Sequence, residues 1–382
     1  MSKKKFKILF LVTEDYYFWS HRLPIACAAR DAGFEVIVAT RVQNYAKRII
    51  QEGFKLIPIG LRRHRKNPLK EIISIIELIK IYRTEHPDIV HHVAMKPVLY
   101  GTTAARIAKI PIIINALAGL GYVFISDRSR ANILRFLISV AFRLTLNSQN
   151  TKLIIQNPDD FEFLVTSGLV KPDNVTLIKG SGVDTCEFVP APEHEGEPII
   201  LLVSRMLWDK GVKEFVDSAK LLVEGGTRAR FVLIGRNDPA NPTSIPTSTL
   251  ESWQNQNYVE WWGYREDIRA VLQKSHVVCL PSYREGLPKV LIEAAACGRP
   301  IVTTDTPGCR EIVRDGENGF CVPIRDANAL AKAIRRLIDD PVLRKKMGKR
   351  GREIALKEFS VDKIISETLA LYKKLLSEKL RN

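Results

Sequence analysis

The chain has 382 residues, 46% hydrophobic and 26% charged, with 22 Gly and 20 Pro. This is globular composition at a length beyond the ~100–200 residues of one domain, so two domains are expected, and fibrous, collagen-like and wholly disordered classes are excluded. Net charge is +16, of which 26 Lys+Arg against 14 Asp+Glu place +12 in residues 1–178 and leave +4 beyond them. Such a basic first half predicts an anionic partner: nucleic acid, a phosphorylated substrate or an acidic membrane.

The start, MSKKKFKILFLVTEDYYF, imitates a secretory leader, but its apolar stretch Ile8–Val12 ends at Thr13-Glu14-Asp15. That is shorter than the ~7–15 residues a leader needs, so it reads as a first strand. The longest uncharged stretch, 110–126, is broken by Pro111, Asn115, Gly119 and Gly121, and no run nears the ~18 apolar residues of a membrane span. The six cysteines lack C-x-x-C spacing and lie mostly in apolar runs, which predicts buried free thiols and a cytoplasmic location.

From the first strand, FKILFLV, the pattern alternates: a helix near 23–32, strand FEVIVAT, a helix near 45–52, strand KLIPIGL, an amphipathic helix near 69–85, then strands DIVHHV, IPIIIN and KLIIQN. It restarts with PIILLVSR, a helix at 213–222, RFVLIG, YVEWWGY, a helix at 265–273, VVCLPS, a helix at 288–296, PIVTT and GFCVPI, and closes with helices at 327–338, 341–358 and 361–380. Alternation of this kind means β-α-β units and parallel sheets. The predicted layout is α/β: an N-terminal Rossmann-like domain at 1–179, a Gly/Pro-rich connection at 180–197, a second Rossmann-like domain at 198–358, and a C-terminal helix at 359–382 packing back on the first domain. Doubly wound sheets bind ligands at their strand C-termini.

Two segments carry chemistry. In Arg284-Glu285-Gly286-Leu287-Pro288-Lys289-Val290-Leu291-Ile292-Glu293, Glu285 falls on a strand-to-helix loop and Glu293 about two turns into the next helix. Amides around Gly286–Lys289 at the helix start are donors for anionic or hydroxyl oxygens. An ionised carboxylate accepts two hydrogen bonds at once, so one can grip sugar hydroxyls and the other a ribose diol. In Arg205-Met206-Leu207-Trp208-Asp209-Lys210, Arg205 and Lys210 leave a strand end and can converge on a diphosphate, Arg as a planar fork and Lys as a point charge.

Together the E-x7-E pattern of Glu285 and Glu293, the R-x4-K pattern of Arg205 and Lys210, and the run PSYREGLPKVLIEAAACGRPIVTTDTPGCREIVRDGENGFCVP resemble the retaining glycosyltransferases of family 4 with the GT-B fold. The resemblance runs along nearly the whole chain. It implies two Rossmann-like domains facing across a cleft, Glu293 on the nucleotide ribose, and Glu285 on the donor sugar with the amides of Gly286 and Leu287 beside Pro288. Arg205 and Lys210 would stabilise the diphosphate leaving group, backbone near Gly263, Tyr264 and Arg265 would meet the base, and Gly119 and Gly121 would approach the donor phosphates. SHRLPIA, His91–Pro97 and Gly119–Phe124 resemble bacterial enzymes that extend lipid-linked oligosaccharides of capsule, O-antigen or glycoprotein glycans, which adds His21, Arg22, His91 and Lys96 as substrate contacts. A UDP-linked N-acetylhexosamine donor, a polyprenyl-diphosphate-linked saccharide acceptor and an anionic inner-membrane surface are the implied partners, with no nucleic acid.

Departures from the family pattern are present. Ala118 stands where many relatives carry a His that contacts the donor sugar, leaving that role absent or supplied by His21, His91 or His92; the loop TEDYYFWSHR lacks a glycine pair; His276 stands at a frequent Asp position. No D-x-D and no metal-ligand spacing occurs, so leaving-group charge falls to Arg205, Lys210 and backbone dipoles, without a metal or other cofactor. Front-face retention is expected, the leaving phosphate helping to deprotonate the acceptor. A glycosidase would leave the diphosphate residues unexplained. A nicotinamide dehydrogenase fails because Gly119-x-Gly121 is followed by Phe124, and a nucleic-acid binder lacks a recognition motif. A nucleotide-sugar epimerase is the nearer rival. The cluster Arg62-Arg63-His64-Arg65-Lys66 before the Ile/Leu-rich stretch at 72–79, and the basic residues at 128–143 bracketing Ile133, Leu134, Phe136, Leu137 and Ile138, mark a membrane side.

Overall fold

The computed structural model describes residues 5–63, 67–120 and 129–381, with the side chains of 129–134 left aside. The chain divides into two compact units, Met1–Ser181 with Lys363–Asn382, and Gly182–Asp362.

In chain order the first unit runs β1 (Lys7–Glu14), α1 (Asp15–His21), α2 (Leu23–Asp31), β2 (Glu35–Arg41), α3 (Ala46–Gln51), β3 (Lys55–Pro58), α4 (Pro68–Glu85), β4 (Ile89–Val93), a π-turn at Pro97–Gly101, α5 (Thr102–Ile107), β5 (Ile112–Ala116), α6 (Ser129–Thr145), β6 (Thr151–Ile155), α7 (Pro158–Thr166) and β7 (Val175–Leu177). The second runs β8 (Ile199–Val203), α8 (Val212–Glu224), β9 (Arg230–Ile234), α9 (Thr247–Asn255), β10 (Glu260–Trp261), α10 (Ile268–Lys274), β11 (Val277–Leu280), α11 (Lys289–Ala296), β12 (Ile301–Thr304), α12 (Cys309–Ile312), β13 (Gly319–Val322), α13 (Ala327–Asp339) and α14 (Pro341–Glu358). The last helix, α15 (Val361–Arg381), belongs to the first unit from Lys363 onward.

The first sheet has the order β3-β2-β1-β4-β5-β6-β7 and the second β10-β9-β8-β11-β12-β13, with parallel pairing. Ile8, Leu9, Phe10 and Leu11 of β1 are all fully buried, the near-continuous apolar run of a strand covered on both faces. Alternation divides its partners. Ile8, Phe10 and Val12 pack with Ile25 of α2 and Tyr372 of α15, whereas Leu9 and Leu11 pack with Leu78 and Tyr82 of α4 and Ala104 of α5.

Several elements escaped the sequence reading: α1, the π-turn with α5, α6, α7, β7, α9 and α12. Most are four to nine residues long, too short to display a helical period. The run YVEWWGY yields only two strand residues, Glu260 and Trp261. Residues after Gly182 do not hang free: Arg352 donates to the carbonyls of Thr185 and Phe188, Arg299 to that of Ala191, and Arg344 pairs with Glu193. All six cysteines are free, but only Cys279, Cys297 and Cys309 are buried; Cys186 is exposed. No described helix is long and apolar enough to cross a membrane.

Candidate functional site

In each sheet the strand order reverses at one point, β1/β4 in the first unit and β8/β11 in the second. Loops leaving the two strands at such a point diverge and open a crevice at their C-terminal ends, where α/β sheets bind ligands.

At β8/β11 the loop after β8 holds Arg205 and Lys210, and the loop after β11 holds Glu285. The Lys210 ammonium lies 2.5 Å from Glu285 Oε1, which also accepts the Ser282 hydroxyl at 2.7 Å. Arg205 pairs with Asp238 Oδ2 at 2.7 Å. Both cations therefore stand next to carboxylates, and the four charges cancel. Two glycines fix this geometry. Gly211 has φ +68°, and a Cβ there would lie 2.0 Å from the Pro281 carbonyl oxygen, so the two loops touch backbone to backbone. Gly308, φ +78°, likewise brings the loop after β12 against the Gly286 carbonyl.

Asp238 escaped the sequence reading, as did the strap around it. The strap follows β9, and Ser244 bridges antiparallel to Leu207. The Trp208 amide donates to the Thr243 carbonyl, and the Thr243 hydroxyl donates to Asp209 at 2.5 Å. The signal was available in the strand order: β9 neighbours β8, so an acid just past β9 sits beside the loop after β8.

Glu293 is the fifth residue of α11, so it stands just over one turn in, not two: the helix begins at Lys289 because Pro288 is its N-cap. It is 8% exposed, and Lys289 approaches Oε1 at 3.3 Å. Burial pushes its carboxyl above the usual range, against the pull of Lys289. Leu287 packs into the apolar cluster beneath α11. After β10, Gly263 has φ +67° and its carbonyl accepts the Gly235 amide at 2.7 Å. Tyr264 is half-exposed with the Arg236 guanidinium 4.1 Å above its ring, and Arg265 is clamped on Asp267 at 2.6 Å. A groove of about 540 Å³ against α10 shares Arg265 but none of Glu285, Arg205 or Lys210. Of its cations, Arg230 and Arg265 are already paired with Glu260 and Asp267. His276 accepts the Ile199 amide at 3.0 Å, a bond that ties β8 to β11.

Other predicted residues lie on β4 and on the segments that follow β1 and β4 in the first unit. Arg22 is the N-cap of α2 and is 4% exposed. His91 is fully buried, its Nδ1 2.5 Å from the Tyr372 hydroxyl, and burial and Arg22 hold its imidazole well below the ordinary histidine range. His92 is a core imidazole between Tyr82 and Asn115, both at 2.9 Å, and like His91 it is fully buried. His21 stacks on Tyr17 with ring centres 4.2 Å apart. Lys96 pairs with Glu71 at 2.9 Å. Ala94, just past β4, has φ +77°, a conformation that strains a residue with a Cβ. Gly119 has φ +115°; Gly121 and its neighbours to Phe124, with His64, Arg65, Lys66 and Arg128, lie outside the described residues, as do the side chains of Ile133 and Leu134. Among the described residues no three His, Cys, Asp or Glu side chains gather as a metal site needs.

Residues 186–354 match the family described as glycosyl transferases group 1, and residues 7–157 match glycosyl transferase 4-like. The chain is 31% identical over 368 residues, 93% of its length and 95% of the relative's, to the N,N'-diacetylbacillosaminyl-diphospho-undecaprenol alpha-1,3-N-acetylgalactosaminyltransferase of Campylobacter jejuni. It is 26% identical, over 80% of each chain, to the UDP-Gal:alpha-D-GlcNAc-diphosphoundecaprenol alpha-1,3-galactosyltransferase of Escherichia coli. Among solved structures it resembles HepE of Anabaena in complex with UDP and glucose, with TM-score 0.77, 17% identity and coverage of 96% of this chain and 99% of that one. Two doubly wound parallel sheets, paired charged loops at the second sheet's reversal point and these matches lead to one conclusion: the chain belongs to the group 1, family 4 glycosyltransferases, with the GT-B fold.

Proposed function

We propose that the protein transfers an N-acetylhexosamine from a UDP-sugar to a polyprenyl-diphosphate-linked saccharide at the cytoplasmic face of the inner membrane, in surface glycan assembly. The observation that carries this reading is the charge quartet of the second unit, Arg205 with Asp238 and Lys210 with Glu285, on a chain whose relatives act on undecaprenol-diphosphate-linked sugars.

The quartet suits a donor that arrives anionic and leaves more so. When a nucleoside diphosphate takes over Arg205 and Lys210, Glu285 loses its ammonium partner and turns to the sugar hydroxyls. Charge developing on the departing diphosphate then meets two cations already in place, so no metal is called for. Glu293, buried and raised in pKa, gains two hydrogen-bond donors from the ribose diol, which stabilise its charged form. The bond from the anomeric carbon to the diphosphate oxygen breaks and the acceptor hydroxyl oxygen bonds that carbon on the same face, with the leaving phosphate taking the acceptor proton.

The first unit holds the acceptor and meets the bilayer. On α4, Leu69, Ile72, Ile73 and Ile76 are 72, 54, 62 and 47% exposed, and their spacing makes one stripe. The opposite side, Leu78 and Tyr82, packs on the sheet. Ile107 on α5 and Phe136, Leu137 and Leu144 on α6 are exposed as well, and Arg106 of α5 donates to the Leu144 carbonyl, tying those two helices together. Exposed Arg62, Arg63, Lys70, Lys80, Arg83, Arg106, Lys109 and Arg143 accompany them. An apolar stripe among cations fits an anionic lipid surface. The test is a thermal-shift panel of nucleotide sugars. Stabilisation by UDP-N-acetylhexosamines over ADP-, GDP- and TDP-sugars supports the donor assignment, and selective stabilisation by another base overturns it.

A further inference from the structure

Arg22 is a guanidinium with nothing to hold. It is 4% exposed, its Nε is sealed from solvent without a hydrogen-bond partner, and no carboxylate lies within ion-pair distance of it among the described residues. A buried charge normally survives only with a partner, since desolvation otherwise disfavours it strongly. Beside it, His91 Nε2 is also buried and unpartnered. The guanidinium is close enough to act electrostatically on both the His91 ring and the Tyr372 hydroxyl. Where Tyr372 donates to Nδ1, the neutral ring carries its proton on Nε2 and offers a second unused donor. Arg22 is also the N-cap of the nine-residue α2, whose first turn has no side-chain cap. His91 is the middle residue of β4, in register with Phe10 of β1, so the pair lies along the seam between the two strands where the sheet order reverses.

We propose that Arg22, with His91 Nε2–H beside it, forms an anion subsite that takes a phosphoryl group of the diphosphate-linked acceptor. The assignment rests on the first unit being the acceptor unit. A guanidinium fork matches a phosphoryl group in geometry and charge, and an unpaired buried cation is stability given up for binding. Fit to the free protein alone would favour an uncharged side chain at this position.

The experiment compares wild type with Arg22→Met and Arg22→Lys. First, thermal unfolding without ligand: Arg22→Met melts at or above the wild-type temperature, because the charge it removes had no partner. Second, with the donor site filled by saturating UDP, inorganic pyrophosphate raises the wild-type melting temperature, raises that of Arg22→Lys less, and leaves Arg22→Met unmoved. Third, KM for a polyprenyl-diphosphate-linked saccharide rises at least tenfold in Arg22→Met, while KM for the same saccharide as an alkyl glycoside and for the UDP-sugar stays put. A pyrophosphate response retained in Arg22→Met overturns the proposal, as does a variant that melts well below wild type with every KM raised together. If wild type ignores the lipid acceptor while the pyrophosphate response still depends on Arg22, the subsite stands for free phosphate and the acceptor reading fails.

Discussion

Replacing Leu69, Ile72, Ile73 and Ile76 with Ser tests whether the α4 stripe enters a membrane. Full burial of a Leu or Ile side chain is worth about 1.5–3 kcal/mol. Scaling about 2 kcal/mol by exposures of 72, 54, 62 and 47% gives about 1–1.5 kcal/mol per residue for complete insertion. A helix lying in the headgroup boundary inserts roughly half of that area, so the stripe contributes about 2 kcal/mol, a partition coefficient about thirtyfold larger. These side chains face away from Leu78 and Tyr82, so the fold should lose little, within about 0.5 kcal/mol per substitution. Sedimentation with vesicles containing anionic lipid reads the effect, and melting temperature checks the fold. The loss should be insensitive to salt, whereas Arg62→Ser with Arg63→Ser should cost about 1 kcal/mol per charge at low salt and less at high salt. Unchanged vesicle binding by a natively stable quadruple variant would refute the reasoning.

Turnover in excess EDTA should equal the untreated rate, and Lys210→Met should lower kcat about 100- to 1000-fold; loss in EDTA restored by Mg2+ or Mn2+ contradicts this. Glu293→Gln should weaken UDP binding about ten- to a hundredfold, while Glu285→Gln spares UDP and depresses turnover; equal UDP affinity in all three proteins refutes the division. The raised Glu293 carboxyl favours folding below its unfolded value, and that contribution is lost as pH rises through the folded one. Glu293→Gln should therefore melt at or above wild type at pH 7, with the advantage gone near pH 4. Burial lowers His92 to about 4, so its contribution is present above about 6.5 and is lost as pH falls toward 4, worth about 3 kcal/mol. Denaturant titrations at pH 7 and pH 4.5 check it, and equal midpoints would refute it.

The strands were legible because both sheets are covered on both faces, so β1, β8 and β11 announce themselves as apolar runs without alternation. The site in the second unit was legible for a related reason: its charged residues follow those runs directly, at loops that a parallel sheet brings to one edge. Asp238 was not, since its link to Arg205 exists only once β9 is known to lie beside β8. Helix α4 was read as amphipathic, but not which isoleucines would be exposed: Ser74, Leu78, Tyr82 and Glu85 are buried, Ile75, Ile79 and Ile81 pack beside them, and Leu69, Ile72, Ile73 and Ile76 face outward. The orphaned Arg22 was equally invisible, because an arginine in a sequence carries no record of whether a carboxylate will reach it.

The most direct test mixes purified protein, a UDP-N-acetylhexosamine and a polyprenyl-diphosphate-linked saccharide, and follows UDP release together with the mass of the lipid product. UDP should be released only when the acceptor is present, with the lipid-linked saccharide heavier by one N-acetylhexosamine residue. UDP release independent of acceptor, or conversion of the UDP-sugar to its epimer with the acceptor unchanged, would contradict it.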